Sequence, residues 1–451
     1  MIVTSKKVTK MRFFTYFSIF VPQTTRFVPK RNTFRHFWNN GGKNEMKKYI
    51  AELASGPSGP SGKSYPSVYP GSRRLENVLS RALAAAQDAK KEHYTVLRGS
   101  EQFIAAADAG KLINSRIILA ADIDESGINM ESMKVLRYLN VNKEALDGAA
   151  GGVIIDGSGE LFTKDLGRRL VFAANMAGCA FPGKPLVEAT GSLKNFAVNA
   201  KLWNVSPEEA YAKSCSLLIE KVMGFKMISD EASDKPSAAD IRIAPAAPAT
   251  IKAGGGHHTL PEPKILAVHA GNRATSNSYS LWKEAADHLR GRADIEEISI
   301  RNGQVQDCRG CSYEDCIHFG EKAGCFYGGV MVEKVYPAIL RSDVLVLICP
   351  NYNDSVSANI MAFINRLTAL FRTSDFSRKR IYAIVVSGYS GGDIVTQQII
   401  GAINMNKNFI LPPRFAMLET ANDPGTALKL PGIKERAKDF AEAIISYQIP
   451  D

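Results

Sequence analysis

The sequence predicts an α/β protein whose C-terminal part, from residue 263 onward, is an open parallel sheet with a ligand crevice at one edge. Three apolar runs are typical of buried strands: KILAVHAG (264–271), DVLVLICP (343–350) and IYAIVVSG (381–388). Each run breaks into a polar or glycine-rich loop that precedes a helical pattern. In such sheets ligands bind outside the carboxyl ends of the strands, where the strand order reverses. The three loops are therefore predicted to converge on one binding site.

A second α/β domain is predicted over residues 46–228. Its strand-like runs are HYTVLRG, RIILAADID, GGVIIDG and KPLVEATG, and they alternate with helical patterns such as LENVLSRALAAAQDAKKE. The order of strand, polar loop and helix parallels that of the C-terminal part. Two interpretations are open: a degenerate tandem copy of one fold, or the general likeness of any two βα units. Asp122, Asp124 and Glu125 follow one strand, and these carboxylates disfavour a phosphate site.

The remaining segments are predicted to be leader and connectors. Residues 1–44 hold nine Lys or Arg and no acid, so most of the net charge of +11 lies in this tail. We interpret residues 1–45 as a disordered basic leader or a start placed too far upstream, with Met46 as the natural start; an Arg-rich transit peptide is the alternative. Residues 56–71 are a Gly/Pro/Ser-rich connector, and residues 229–262 form a Pro/Ala/Gly linker.

Charge and hydropathy exclude two classes of partner. A nucleic-acid-binding domain carries its basic residues on a folded face, whereas here they lie in the tail. The apolar run near the N-terminus is too short to span a bilayer, and no other segment could cross a membrane. We therefore expect a soluble, cytoplasmic protein that binds neither nucleic acid nor membrane.

The first loop, AGNRATSNS, has the chemistry of a phosphate site. A phosphate is held by backbone N–H groups at a helix N-terminus, short hydroxyl or amide donors and often a cation. Arg273, Ser276, Asn277 and Ser278 supply these groups directly before an amphipathic helix. Ser276 or Asn277 acting only as a helix N-cap is the alternative, but a cap accounts for one residue of the run.

The second and third loops suit a planar heterocycle. Pro350, Asn351, Tyr352 and Asn353 offer an aromatic ring, polar groups and exposed backbone. The glycines of SGYSGG (387–392) allow the backbone to approach a flat ligand closely. A phosphate loop beside such a surface predicts a mononucleotide.

With these motifs in order, the C-terminal domain resembles the flavodoxin-like NAD(P)H-dependent FMN reductase family, particularly the branch of iron-sulfur flavoproteins. AGNRATSNS is similar to the family's G-S-x-R-x-x-S-N-T loop, and PNYNDSVSANIMAFINR is similar to its P-x-Y-x-x-x-x-S-x-x-x-K-x-F-x-D-R segment. SGYSGGD matches the third, glycine-rich loop. The resemblance covers about residues 263–449. It departs from the family at Gly271, where a serine is usual, and at Asn365, where an aspartate is usual.

The resemblance implies a doubly wound parallel five-stranded sheet, FMN as cofactor and NAD(P)H as electron donor. Arg273, Ser276, Asn277 and Ser278 would hold the phosphate of FMN. The residues that would border the isoalloxazine are Pro350, Asn351, Tyr352, Asn353, Ser387, Gly388, Tyr389, Gly391 and Gly392. Members of the family are usually dimers or tetramers, so a homodimer or homotetramer is expected.

Four of the seven cysteines lie in one loop, CRGCSYEDCIHFGEKAGC. Cys308, Cys311, Cys316 and Cys325 have the spacing C-x2-C-x4-C-x8-C, looser than that of iron-sulfur flavoproteins. A 4Fe-4S cluster, a zinc ion bound by four thiolates, and a metal-free loop are all open. The other three, Cys179, Cys215 and Cys349, are expected to be buried core residues.

The predicted function is an FMN-dependent NAD(P)H oxidoreductase that reduces a flavin, a quinone or another small acceptor. Hydride chemistry belongs to the cofactor, so no catalytic side chain is assigned, and no Ser-His-Asp triad or carboxylate dyad is apparent. The alternatives are a non-enzymatic electron-transfer flavoprotein and a flavin-free binding module.

Overall fold

The computed structural model describes residues 46–54, 70–90, 93–226, 262–301 and 305–447. The predicted leader, the core of the Gly/Pro/Ser-rich connector and nearly all of the predicted linker lie outside these residues. None of the helices in the described ranges has the length and hydropathy of a membrane span.

The N-terminal domain is a parallel sheet of five strands in the order β2-β1-β3-β4-β5. Its strands are β1 (Lys48–Leu53), β2 (Thr95–Arg98), β3 (Arg116–Ile123), β4 (Ala150–Gly157) and β5 (Leu186–Ala189). Its helices are α1 (Pro70–Lys90), α2 (Gly99–Asp108), α3 (Met130–Val141), α4 (Thr163–Met176), α5 (Ala197–Trp203) and α6 (Pro207–Met223). Every residue of β3 and β4 is buried, as in a sheet covered by helices on both faces.

The C-terminal domain is a second five-stranded parallel sheet, in the order β10-β9-β8-β6-β7. Its strands are β6 (Lys264–His269), β7 (Asp294–Ser299), β8 (Val344–Pro350), β9 (Arg380–Ser387) and β10 (Ala416–Thr420). Its helices are α7 (Asn277–Leu289), α8 (Tyr313–Gly320), α9 (Tyr336–Arg341), α10 (Ala358–Phe371), α11 (Gly392–Ile399) and α12 (Ile433–Ser446). A π-helical segment, Ile400–Met405, continues α11.

Both sheets have the flavodoxin-like order 2-1-3-4-5, which confirms the predicted fold class for the C-terminal domain. The N-terminal sheet has the same order, and its interpretation as a degenerate copy stays a prediction. One continuous apolar core runs through both domains, and a second one covers the other face of the N-terminal sheet. Cys179, Cys215 and Cys349 are fully buried in these cores, as predicted.

Glu131 of α3 joins two helices of the N-terminal domain. Its Oε2 accepts hydrogen bonds from the backbone N–H of Ser100 at 2.7 Å and from the hydroxyl of Ser100 at 2.6 Å, in the first turn of α2. Burial opposes ionisation, but hydrogen bonds from Lys134 and Ser100 dominate and lower the pKa of Glu131 to about 2. The carboxylate is therefore charged in the folded protein at neutral pH and stabilises the start of α2.

We predict that Glu131→Gln lowers the free energy of unfolding by about 1 kcal/mol at pH 7, because the charged acceptor is lost on a partly exposed surface. A depressed pKa stabilises the fold above the unfolded value of about 4.3 and loses this effect as the pH falls toward 2. Urea denaturation at pH 7 and pH 3 should therefore show a smaller difference at pH 3. The exposed neighbour Glu101→Gln is the control, and a difference that grows on acidification would contradict the assignment.

Candidate functional site

The three loops predicted from the sequence lie at the carboxyl edge of the C-terminal sheet. They follow β6, β8 and β9, which are adjacent in the strand order. The chain leaves β6 toward β7 on one side and later returns to β8 on the other, so the strand order reverses between β6 and β8. The first two loops flank this reversal, which is where open α/β sheets bind ligands.

The first loop places hydroxyl groups at the start of α7. Ser276 is the N-cap, and its hydroxyl accepts a hydrogen bond from the backbone N–H of Tyr279 at 3.3 Å. The Ser278 hydroxyl lies 3.0 Å from that of Ser276. The first N–H groups of a helix have no carbonyl partner within the helix and carry a partial positive charge. Ser276 is thus both the cap and part of an anion-binding geometry.

Gly271 lies where the family usually has serine, and the packing of the loop explains the change. A Cβ at this position would meet the Ser276 Oγ at 2.7 Å, closer than real Cβ atoms come. A serine at 271 would therefore displace Ser276 from its capping position. The missing hydroxyl is a consequence of how tightly this loop folds.

Asn277 uses its side chain to hold a distant loop. Its Nδ2 donates to Ala421 O at 3.1 Å and Asp423 O at 2.8 Å, and its Oδ1 accepts from the N–H of Ala427 at 3.3 Å. These bonds tie α7 to the loop after β10. Because the side chain makes these bonds, the predicted contact of Asn277 with a phosphate would be made by its backbone N–H.

Arg273 points its guanidinium at a carboxylate. Its Nη2 donates to Glu297 of β7 at 2.7 Å, and the guanidinium carbon lies 5.7 Å from the centre of the Tyr279 ring. The side chain is 59% exposed, so it is free to turn toward a ligand at the cost of this ion pair. Its predicted role at the phosphate stays a prediction.

Glu297 gathers several donors beneath the first loop. It also accepts hydrogen bonds from the Tyr279 hydroxyl at 2.8 Å and from Trp282 Nε1 at 3.2 Å. His269 Nε2 lies 3.8 Å away, and burial lowers the pKa of His269. Glu297 was not predicted from the sequence. An acidic residue within a strand was the available signal, because such a residue needs hydrogen-bond donors nearby.

The second loop contains a tight turn. Tyr352 and Ser355 exchange backbone hydrogen bonds of 3.0 and 3.1 Å, and the two residues between them have positive φ values of 53° and 56°. Positive φ at both central positions is the type I′ geometry, which Asn and Asp tolerate. Asn353 and Asp354 therefore make the turn, and Tyr352 stands at its base, 56% exposed.

The third loop is locked to the second. Asn351 Nδ2 donates to Ser390 O at 2.8 Å and lies 3.2 Å from the Ser387 hydroxyl. Gly391 has φ of 82°, and a Cβ there would meet Asp354 Oδ1 at 1.9 Å. Glycine is thus required both by the backbone conformation and by the approach of the second loop.

These residues fit the flavin that the resemblance implies. The buried Oδ1 of Asn351 has no hydrogen-bond partner within the described ranges, and it lies between the two loops. Tyr389 is 82% exposed at the tip of the third loop. An unused acceptor and two exposed tyrosines beside closely approaching backbone are what a flat heterocycle with polar edges would contact. Pro350, Ser387, Gly388 and Gly392 complete this border as predicted from the motifs, and their contact with a flavin stays a prediction.

The four cysteines of the predicted metal loop line one cavity of about 110 Å³. Cys308 and Cys311 are exposed, and Cys316 and Cys325 are half-buried. Asn365 anchors the loop, because its Nδ2 donates to Asp307 Oδ1 at 2.9 Å while the same oxygen accepts from the N–H of Cys308 at 2.7 Å. The amide that replaces the family's aspartate therefore acts as a donor to an acid.

The cysteines surround the cavity without converging on one point. No three His, Cys, Asp or Glu side chains in the described ranges are grouped to hold a metal ion. In a tetrahedral zinc site with Zn–S bonds of about 2.3 Å, the sulfurs lie roughly 3.8 Å apart. Among the described residues this arrangement shows neither a cluster site nor a zinc site, and the three alternatives stay open.

Three arginines line the same cavity, a feature that sequence reasoning missed. Arg366 is 4% exposed; its Nη2 donates to Gly328 O at 2.9 Å, and its Nε has no partner among the described residues. Arg309 lies 5.1 Å from the Tyr327 ring centre and Arg372 lies 4.6 Å from that of Tyr313. Burial raises the pKa of the Cys316 thiol, and Arg372 opposes this shift. The cavity is therefore suited to negative charge.

We predict that Asn277→Ala lowers the free energy of unfolding by about 1–3 kcal/mol, because the buried N–H of Ala427 loses its acceptor and two carbonyls of the loop after β10 lose their donor. Chemical denaturation of the purified variant measures the change. The control is Ser278→Ala, at the next position. It should lower the free energy of unfolding by well under 1 kcal/mol, because the Ser278 hydroxyl bonds only to the Ser276 hydroxyl among the described residues. Equal free energies of unfolding in the two variants would show that Asn277 does not hold the loop after β10.

Comparison with known proteins agrees with the geometry. Residues 263–423 match the family model of NADPH-dependent FMN reductase. This range contains the three loops and the four-cysteine cavity. No curated protein matches the chain.

Solved structures of similar fold include three examples. The Trp repressor binding protein of Bacillus subtilis is 19% identical, over 39% of this chain and 96% of its own, with a TM-score of 0.27. The NAD(P)H:quinone oxidoreductase of Methanothermobacter marburgensis is 12% identical, over 41% and 96%, with a TM-score of 0.32. An azoreductase from Bacillus anthracis is 16% identical, over 41% and 99%, with a TM-score of 0.28.

The family match falls on the domain whose topology and loops were described above. It indicates an NAD(P)H-dependent oxidoreductase with FMN as its cofactor. Over residues 263–423 the chain is therefore similar to the NADPH-dependent FMN reductase family.

Proposed function

We propose that the protein is an FMN-dependent NAD(P)H oxidoreductase that reduces a quinone, a flavin or another small acceptor, with an iron-sulfur cluster in its four-cysteine cavity. The observation that carries the flavin assignment is the convergence of the loops after β6, β8 and β9 at the reversal of the strand order. These loops combine an anion site with an open, aromatic surface.

The chain's residues would divide the binding of FMN as follows. The hydroxyls of Ser276 and Ser278 and the first N–H groups of α7 would hold the phosphate, with Arg273 adding charge after it leaves Glu297. Asn351 and the backbone around Gly391 would contact the polar edge of the ring system. FMN, when bound, accepts a hydride from the nicotinamide and passes electrons to the acceptor.

The surface around the ring site supports a small acceptor. Tyr352 and Tyr389 are 56% and 82% exposed, so the loops leave this side of the crevice open to solvent. Donor and acceptor can therefore approach the same face in turn, as a planar nicotinamide or quinone requires. The exposed aromatic rings supply stacking surfaces for either molecule.

We prefer a cluster to a single zinc ion because the four cysteines lie around a cavity and are not grouped at one point. Each cysteine of a four-iron cluster binds a different iron, so the sulfurs stand farther apart than around one metal ion. Thiolate ligation also leaves the site negatively charged, and Arg309, Arg366 and Arg372 line the cavity where this charge would lie. A cluster there would carry single electrons to or from the protein surface.

Arg273→Ala is predicted to weaken FMN binding about fivefold. A charge-assisted bond to phosphate is worth about 1.5–3 kcal/mol, and the lost pair with Glu297 offsets up to about 1 kcal/mol of it. Titration of the apoprotein, followed by quenching of flavin fluorescence, gives the affinity. Arg290→Ala, at the other end of α7, is the matched control, and an unchanged affinity in Arg273→Ala would exclude this residue from the site.

Replacing any one of Cys308, Cys311, Cys316 or Cys325 with Ser is predicted to remove most of the iron and acid-labile sulfide while the flavin is retained. Thiolate ligands act as a set, so the loss should be steep, and the phosphate loop belongs to a different βα connection.

Metal analysis and visible absorbance of protein purified without oxygen measure both groups at once. Cys215→Ala, a buried thiol of α6, is the control for general effects of losing a cysteine. Zinc without iron in the wild-type protein would contradict the cluster and indicate a zinc site bound by the four cysteines. Protein with neither metal would show that the cysteines are ordinary loop residues.

A further inference from the structure

The two domains meet through a pair of equivalent segments. The N–H of Phe181 donates to Leu411 O at 2.9 Å, and the N–H of Leu411 donates to Phe181 O at 2.8 Å. Phe181 lies between α4 and β5, and Leu411 lies between α11 and β10. These positions correspond in the shared strand order, and a proline follows each residue in the sequence.

Two buried asparagines form a second pair of equivalent contacts between the domains. Asn175 Nδ2 donates to Pro412 O of the other domain at 2.7 Å and to Cys179 O of its own at 2.9 Å. Asn404 Nδ2 donates to Pro182 O of the other domain at 3.2 Å and to Phe409 O of its own at 2.8 Å. Each amide thus bridges its own turn to the other domain.

The backbone around these asparagines is also paired twice. The N–H of Lys184 donates to Asn404 O at 2.9 Å, and the N–H of Arg414 donates to Asn175 O at 3.1 Å. Each connecting segment additionally forms a parallel bridge to its own sheet, Ala150 with Ala180 and Arg380 with Ile410. A contact in which each side uses the same patch is the mark of a twofold interface.

In the N-terminal domain, a side chain covers the carboxyl ends of the last two strands of the sheet. The Arg74 guanidinium, from α1, bonds both carboxylate oxygens of Asp156 at the end of β4, the shortest at 2.7 Å. It also donates to the carbonyls of Gly157, Thr190 and Gly191 at 3.0–3.2 Å. One cation therefore spans the carboxyl ends of β4 and β5.

The loop after β4 also differs from the glycine-rich loop after β9 at the N-cap of the following helix. Phe162 is the N-cap of α4 with φ of 71°, and Gly391 is the N-cap of α11 with φ of 82°. The same left-handed position thus carries a bulky ring in one domain and no side chain in the other. Phe162 packs so closely on Gly127 that a Cβ at Gly127 would meet its ring at 2.5 Å.

From these contacts we infer that the N-terminal domain is a built-in second subunit that binds no flavin: the chain is an internal twofold pair with one FMN site. The N-terminal domain thus occupies, through these contacts, the face of the C-terminal domain around Asn404 and Leu411. The part of this inference that concerns the number of flavins rests on the proposed function. The pairing of the two domains rests on the contacts between them alone.

The number of flavins is tested on the full chain by equilibrium dialysis with FMN. One FMN per chain is expected, and two would overturn the inference. Ser276→Asp gives the decisive variant, because aspartate caps a helix as well as serine does but repels phosphate. All FMN binding should be lost in Ser276→Asp, and one remaining equivalent would place a site in the N-terminal domain. Wild-type protein that binds no FMN would instead contradict the proposed function.

The pairing is tested without flavin, by urea unfolding of the wild type and of Asn175→Ala, Asn404→Ala and the double variant. A single cooperative transition is expected in the wild type, because the two domains share one core. Each single variant should lower the midpoint by a similar amount, and the double variant should unfold in two steps. Two independent transitions in the wild type, or an effect confined to one asparagine, would overturn the built-in pair.

Discussion

The burial of each parallel sheet on both faces is the constraint on which the rest of the structure depends. All residues of β9 are buried, and β8 is buried except at its last residue. Strands of this kind leave no place within the sheet for polar chemistry, so it moves to the loops at the strand ends. Because all strands run in parallel, every following helix also begins at that edge and directs its N-terminus there. The anion site at α7 and the tight second and third loops follow from this single arrangement.

Much of the fold was predictable because a strand buried on both faces leaves a continuous apolar run, as in β8 and β9. Two strands, β1 and β10, were not predicted from the sequence, for physical reasons. β1, KYIAEL, places Lys48 and Glu52 near its ends, although it lies inside its sheet. β10, AMLET, is an edge strand that is buried only over its first two residues. Their places are fixed by pairing with distant strands, which no local pattern reveals.

The candidate site was predicted as a set of loops, and the partners of its side chains were not. The motif indicates that Asn277 contacts phosphate, whereas the structure shows its amide bonded to carbonyls of residues 421 and 423. Arg273 meets Glu297 because β6 and β7 pair in a particular register. Around the cysteines, Arg366 and Arg372 come from the helix after β8, far along the chain. Sequence spacing identifies donors, while tertiary structure decides which of them remain available to a ligand.

Two domains with the same strand order in one chain need not carry the same residues. In an assembly of identical subunits, every substitution appears on both sides of the axis, so a change that closes one crevice closes the other. Here Arg74 covers the ends of β4 and β5, and Phe162 stands where the C-terminal domain has Gly391. The contacts of Asn175 and Asn404, in contrast, take the same form in both halves. Under the inferred pairing, one chain combines a binding half with a supporting half.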